Sequence, residues 1–193
     1  MPSHAVAVCE NGLLSISLLY FCGMTEIVNR VQNSGLIAVD LADYLPKNDH
    51  FAGFDFEPYL WNGLVLKEKD FRDFVKSHDW SQYAGKHIYI YCSADAILPS
   101  WAYMLVSSQL IGIAAGITVG DLQLARQNAM AETIRSLDME QFRDGKLIIK
   151  GCSDIPNPDG MMALFLERVQ PLCSSVMYGE PCSTVPIFKR RKA

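Results

Sequence analysis

An α/β fold, a three-layer sandwich around a largely parallel sheet, is predicted by three features of this 193-residue chain. In its second half, short apolar runs alternate with segments whose apolar residues recur at helical spacing, as repeated strand–helix units require. Proline, Asp and Asn stand where those helices would start, and Gly or Pro where they would stop. Length and a composition that is 50% hydrophobic suit one ordinary domain with a sizeable core.

The elements follow in order. From Met24 a short helix runs through Arg30 and Val31 and is stopped by the turn residues Asn33-Ser34-Gly35. Leu36 to Leu41 reads as a strand. Ala42 to Asn62, rich in aromatics and broken by Pro46, Gly53 and Pro58, reads as an irregular excursion with at most one short strand. Gly63 to Leu66 is a short strand, and Phe71, Phe74 and Val75 mark an amphipathic helix ending near His78. His87 to Tyr91 is a strand, followed by a helix with Pro99 at its first position and its end near Gly112. Ile117 to Val119 is a strand and Asp121 caps the next helix, whose inner face is Leu122, Ala125, Ala129, Thr133 and Leu137. Leu147 to Lys150 is a strand. Asn157-Pro158 opens a helix carrying Leu164, Phe165 and Val169, which Pro171 ends. Ser175 to Tyr178 is the last strand of the series, and Val185 to Phe188 an edge strand, because Pro186 is tolerated mainly at edges. Right-handed crossovers make the four strands of the second half parallel, a Rossmann-like or flavodoxin-like sheet preceded by an irregular N-terminal excursion.

The first residues are read separately. Leu13 to Phe21 looks like the apolar centre of a secretory signal, yet no Lys or Arg precedes it, Glu10 does, and Phe21 is a poor neighbour for cleavage or for lipidation at Cys22. The run is too short to span a bilayer. Residues 1–23 are therefore expected to be a non-functional N-terminal extension, and residues 24–193 a single α/β domain in the cytoplasm. A formal charge of -4 with nearly balanced signs argues against nucleic acid or an anionic membrane as a general partner, and the basic run from Lys189 to Lys192 reads as a solvated tail.

Setting aside Cys9 and Cys22 leaves Cys92, Cys152, Cys173 and Cys182, free thiols in a reducing compartment. Three of them open a Cys-Ser pair just past a predicted strand: Cys92-Ser93, Cys152-Ser153 and Cys182-Ser183. Ligands of parallel α/β sheets bind at the C-terminal strand ends, so these thiols are expected to converge there. Asp95, Asp154 and Glu180 lie beside them, and the helix starts that follow would favour thiolate. Three thiolates suit zinc, iron or an iron–sulfur cluster, with Glu180 or an exchangeable group in the fourth position. Ser93, Ser153, Ser183 and Trp101 are the expected contacts to a bound group. No Cys-x-x-Cys pair supports the site locally, and each pair alone is equally an ordinary buried cysteine beside a turn serine. Cys173, before its strand, is assigned to the core, and Asp121 to helix capping.

Two other classes compete with metal binding. Cys92 as the nucleophile of a hydrolase or transferase needs a base, but strand alternation puts His87 on the opposite face, and His50 and His78 have no evident link to it. A non-catalytic binding or scaffold protein would use the cysteines structurally. The chain shows no phosphate-binding loop, dinucleotide fingerprint, serine nucleophile elbow or metalloprotease helix.

Five segments carry a resemblance: Glu26 to Val31, Asp79 to Tyr83, Cys92 to Ile97, Lys150 to Asp154 and Tyr178 to Pro186. Together they resemble an uncharacterised bacterial family known only as a domain of unknown function, family 2480. The resemblance covers nearly everything from Met24 onward. It implies a chain start near that methionine and, through an association with iron–sulfur assembly genes, iron–sulfur assembly proteins as partners.

Overall fold

The computed structural model describes residues 35–151, 154–180 and 183–191. The expected extension, the helix from Met24, and Cys152, Ser153 and Cys182 lie outside the described residues. In chain order the strands are β1 (Leu36–Val39), β2 (Phe51–Asp55), β3 (Leu60–Trp61), β4 (Val65–Leu66), β5 (His87–Tyr91), β6 (Gly116–Val119), β7 (Lys146–Ile149), β8 (Ser175–Glu180) and β9 (Ser183–Lys189). The α-helices are α1 (Glu68–Ser77), α2 (Ser100–Leu110), α3 (Leu122–Ser136) and α4 (Pro158–Val169).

The mixed α/β, parallel-rich fold is present, but the second-half strands do not share one sheet. β2, β5 and β6 form a three-stranded parallel sheet in that order. A second sheet has the order β1-β7-β8-β9, with only the last pair antiparallel. The chain leaves this sheet after β1, builds the other, and returns at β7 to pair with β1, Leu36 opposite Lys146. β6 and β7 are consecutive strands yet belong to different sheets. Local sequence does not encode that choice, because the partner of β7 lies a hundred residues upstream.

The excursion is also corrected. Phe51–Asp55 is a full parallel strand in register with β5 from Phe51↔His87 to Asp55↔Tyr91. Gly53 disguised it as irregular chain. The glycine leaves room for the Tyr89 ring, which a Cβ at position 53 would approach to 2.8 Å. Just downstream, β3 and β4 make a hairpin around Asn62-Gly63, both at positive φ, as the tight turn requires.

Two cores result. Val39, Leu41, Leu147, Ile149 and Val176 pack with Phe142, Phe165 and Val169 around the four-stranded sheet. Phe54, Phe56, Phe71, Trp80, Ile88, Ile90, Val106 and Leu110 form the other around β2 and β5. Each fully buried side chain of this size contributes about 1.5–3 kcal/mol. Helix α3 serves both sheets. It packs on β2, β5 and β6, with Ala125 and Ala129 facing a cleft against β6, and commits Met130, Ala131 and Ile134 to the first core. Of the expected face Ala125 and Ala129 are buried and Leu137 packs on the first core, Leu122 at the helix start is exposed, and Met130, Ala131 and Ile134 add a second buried surface. Arg168 of α4 ties α3 down by donating to the carbonyls of Ile134 and Leu137 at 2.6 and 3.1 Å. Among the described residues no helix is long and apolar enough to cross a membrane.

Candidate functional site

At the C-terminal end of β5, Cys92 follows the strand directly and is half-buried against the second core. The next residue is held firmly. Ser93 donates both its N–H, at 2.9 Å, and its hydroxyl, at 2.6 Å, to the two carboxylate oxygens of Asp55 at the end of β2. Asp55 also accepts from the Glu57 N–H at 3.0 Å, and Phe56 N–H donates to the Tyr91 carbonyl, so the two strand ends are closed together. Partial burial pushes the Asp55 carboxyl up, but the bonds from Glu57 and Ser93 outweigh it and leave the group below the ordinary carboxylate range. The Ser93 hydroxyl proton is thus engaged in holding the Cys92 turn.

Around this turn, Tyr103 has its phenol pushed up by burial and secondarily by the neighbouring Cys92. Asp95 is exposed, and α2 starts only at Ser100. Trp101 packs against Phe71, ring centroids 6.3 Å apart, and under the Arg72 guanidinium at 5.5 Å, so its contacts are those of a core anchor. His87 opens β5 and Cys92 follows its last residue, a separation of roughly 16 Å along the strand. His78 is occupied elsewhere, 3.0 Å from the Gln82 amide and packed on Phe74 and Trp80; burial lowers its pKa, with Asp79 pulling the other way.

The corresponding end of the other sheet is built by β1, β7 and β8. Lys150, just past β7, reaches Asp40 just past β1, Nζ to Oδ2 3.3 Å. Tyr178 of β8 lays its ring tip on Gly151, where a Cβ would come within 2.5 Å of the hydroxyl. Asp154 and Glu180 are exposed carboxylates flanking this end, and Ser183 opens β9 as the register partner of Glu180. The residues between them include Cys182. β7 and β8 are parallel neighbours with Ile149 opposite Tyr178, so the segments that contain Cys152 and Cys182 leave the same end of one sheet. Cys92 leaves the other sheet. Among the described residues no three His, Cys, Asp or Glu side chains are grouped to hold a metal ion, and two of the expected thiolates lie outside those residues. Cys173 is fully buried and Asp121 accepts from the Leu124 N–H at 2.8 Å, so one is core and the other a cap, as expected.

Two features escaped the sequence. Asp55 lay in the supposed excursion, and only the β2–β5 register brings it to Ser93. A cleft of about 290 Å³ between β6 and α3 presents His87, Thr118, Asn128 and Glu132, with Asn128 donating to the Thr118 hydroxyl at 3.1 Å. Gly116 makes the space: a Cβ there would sit 2.7 Å from His87 Nδ1. Burial, then the nearby His50, lowers the His87 pKa. The His-Ile-Tyr-Ile-Tyr alternation was the available signal, since it separates an apolar face from an aromatic and polar one.

The family model described as a protein of unknown function (DUF2480) matches residues 25–190, the region that carries the resemblance. No curated protein and no solved structure matches the chain.

Proposed function

We propose, from the premise that this chain belongs to the DUF2480 family, that it holds a thiophilic metal through cysteines leaving the C-terminal ends of parallel strands. The bound group is zinc, iron or an iron–sulfur cluster. The observation that carries this reading is the parallel pairing of β7 with β8, from whose ends Cys152 and Cys182 follow. Thiolates favour such metals over calcium or magnesium. Two thiolates leave a tetrahedral ion short of two donors. Asp154 and Glu180 are exposed beside the same strand ends, and Cys92, from the other sheet, is the third thiolate of the reading. Such a ligand set, joined to the family's association with iron–sulfur assembly genes, supports a cytoplasmic accessory role in iron–sulfur or sulfur metabolism, with assembly proteins as partners.

Elemental analysis with an optical spectrum, on protein purified without oxygen or chelators, tests the reading. Stoichiometric zinc, or iron with sulfide, is expected in the wild type, lost in Cys152→Ser and Cys182→Ser. Retention by Cys92→Ser would restrict the ligand set to the β7–β8 end. No metal in the wild type, or undiminished metal in Cys152→Ser, would overturn the proposal.

A second reading is favoured by the Asp55–Ser93 pair, which fixes the turn carrying Cys92: a thiol-dependent hydrolase or transferase with Cys92 as nucleophile. Alkylation of Cys92 faster than an ordinary thiol near neutral pH supports it, and an ordinary rate throughout that range refutes it.

A further inference from the structure

Helix α2 is apolar on the face it buries and on much of the face it exposes. Ala102, Val106 and Leu110 are fully buried against the second core, while Met104 is 72% exposed and Ile111, at the helix C-cap, 73%. Residues 96–120 contain no Asp, Glu, Lys, Arg or His, an uncharged stretch within a chain of formal charge -4. A helix apolar on both faces is normally covered on both.

The outer face has a specific relief. Met104, Ser107, Ser108 and Ile111 occupy positions i, i+3, i+4 and i+7, so they form one stripe over two turns, large at the ends and small in the middle. With Tyr103 and Val119 they line a groove of about 390 Å³. Val119 is 51% exposed and lies on β6, the outer strand in the order β2-β5-β6.

We propose that this face pairs with a second copy of the chain, α2 against α2 in antiparallel orientation about a two-fold axis passing between Ser107 and Ser108. The stripe is self-complementary in that arrangement. The small serines let the helix axes approach closely, and Met104 of one copy fills the space beside Ile111 of the other at both ends. Charge selects the occupant as well. A charge beside a two-fold axis meets its own copy, and this patch carries none. A different protein recognising an acidic chain would gain specificity from charges at the contact, and a lipid surface from basic residues. Neither kind of anchor is present in residues 96–120. A stable dimer takes about 800 Å² from each partner; Met104, Ile111 and Val119 supply its apolar area on either side of the serines at the axis.

Sedimentation equilibrium of the full chain, in reductant and with and without chelator, excludes thiol- and metal-bridged association. A dimer is expected under all these conditions. Met104→Glu and Ile111→Glu should each raise the dissociation constant about a hundredfold, because each buries a charge without a partner. Leu64→Glu, at an equally exposed apolar position on the β3–β4 hairpin, should leave it unchanged. The double variant Met104→Glu/Ile111→Lys places opposite charges across the axis and should recover most of the association, now weakened by salt. A monomer at all concentrations, or a dimer indifferent to the single changes, overturns the proposal; a double variant no better than the singles overturns the antiparallel arrangement.

Discussion

Replacing Gly179 by Ala probes the hairpin that carries the candidate metal ligands. Gly179 sits in β8 at φ +118, a conformation L side chains rarely adopt, and pairs with Thr184 of β9. A Cβ there would lie 2.5 Å from the Ser183 carbonyl oxygen and 3.5 Å from the Thr184 Cα. Both obstacles are backbone, so no rotamer change relieves them. The left-handed conformation costs about 1–3 kcal/mol for a non-glycine residue. Forcing the strands apart adds about 1–3 kcal/mol, as overpacking does in cores. The sum, about 2–6 kcal/mol, corresponds to a fall in Tm of roughly 10 °C for a chain of this length, at about 2–4 °C per kcal/mol. Gly85→Ala separates the two contributions. Gly85 is also at positive φ, +70, but a Cβ there meets nothing within 4 Å, so only the conformational cost applies. Thermal denaturation followed by circular dichroism should rank wild type above Gly85→Ala and both well above Gly179→Ala. Because Glu180 and Ser183 pair just beyond the glycine, bound metal should fall with stability in Gly179→Ala and hold in Gly85→Ala. A Tm for Gly179→Ala equal to that of Gly85→Ala would refute the steric argument.

Asp55→Asn should destabilise the protein at neutral pH by weakening the hold on Ser93 and Glu57. Since the folded pKa of Asp55 is depressed, its contribution is complete above the unfolded carboxylate pKa of about 3.9 and is lost as pH falls through the folded value. The gap in Tm between wild type and variant should therefore close on acidification, and a pH-independent gap would contradict this. Arg168→Met should cost about 2–3 kcal/mol in urea unfolding by freeing the Ile134 and Leu137 carbonyls at the end of α3. Arg168→Lys should not restore it, because one ammonium does not reproduce the forked geometry. Trp80→Phe removes the 2.9 Å bond from Nε1 to the buried Val75 carbonyl and should cost about 1–2 kcal/mol by the same assay. Unchanged urea midpoints would show that water replaces these bonds at no cost.

The elements legible in the sequence were those specified by neighbouring residues. Asp121 announced α3 because an N-cap acts on the N–H three residues on, and Asn157-Pro158 announced α4 for the same local reason, Asn157 accepting from Gly160 N–H. β5 was legible to the residue, because its alternation is a property of five consecutive side chains. Cys173 was correctly assigned to the core and Asp121 to a cap. What the tertiary structure alone decided depends on pairs far apart in the chain. It placed β7 beside β1 and not β6, and so divided the expected sheet and gave Cys92 a different sheet from the strands that lead to Cys152 and Cys182. It turned the glycine-broken stretch around Gly53 into β2, where Tyr89 needs the missing side chain, and brought Asp55 to Ser93, 38 residues away. Capping and periodicity act over one or two turns of chain and leave a trace in the adjacent letters. Strand neighbours are chosen by how two cores close over a shared helix, and that choice is written in contacts rather than in any local stretch of sequence.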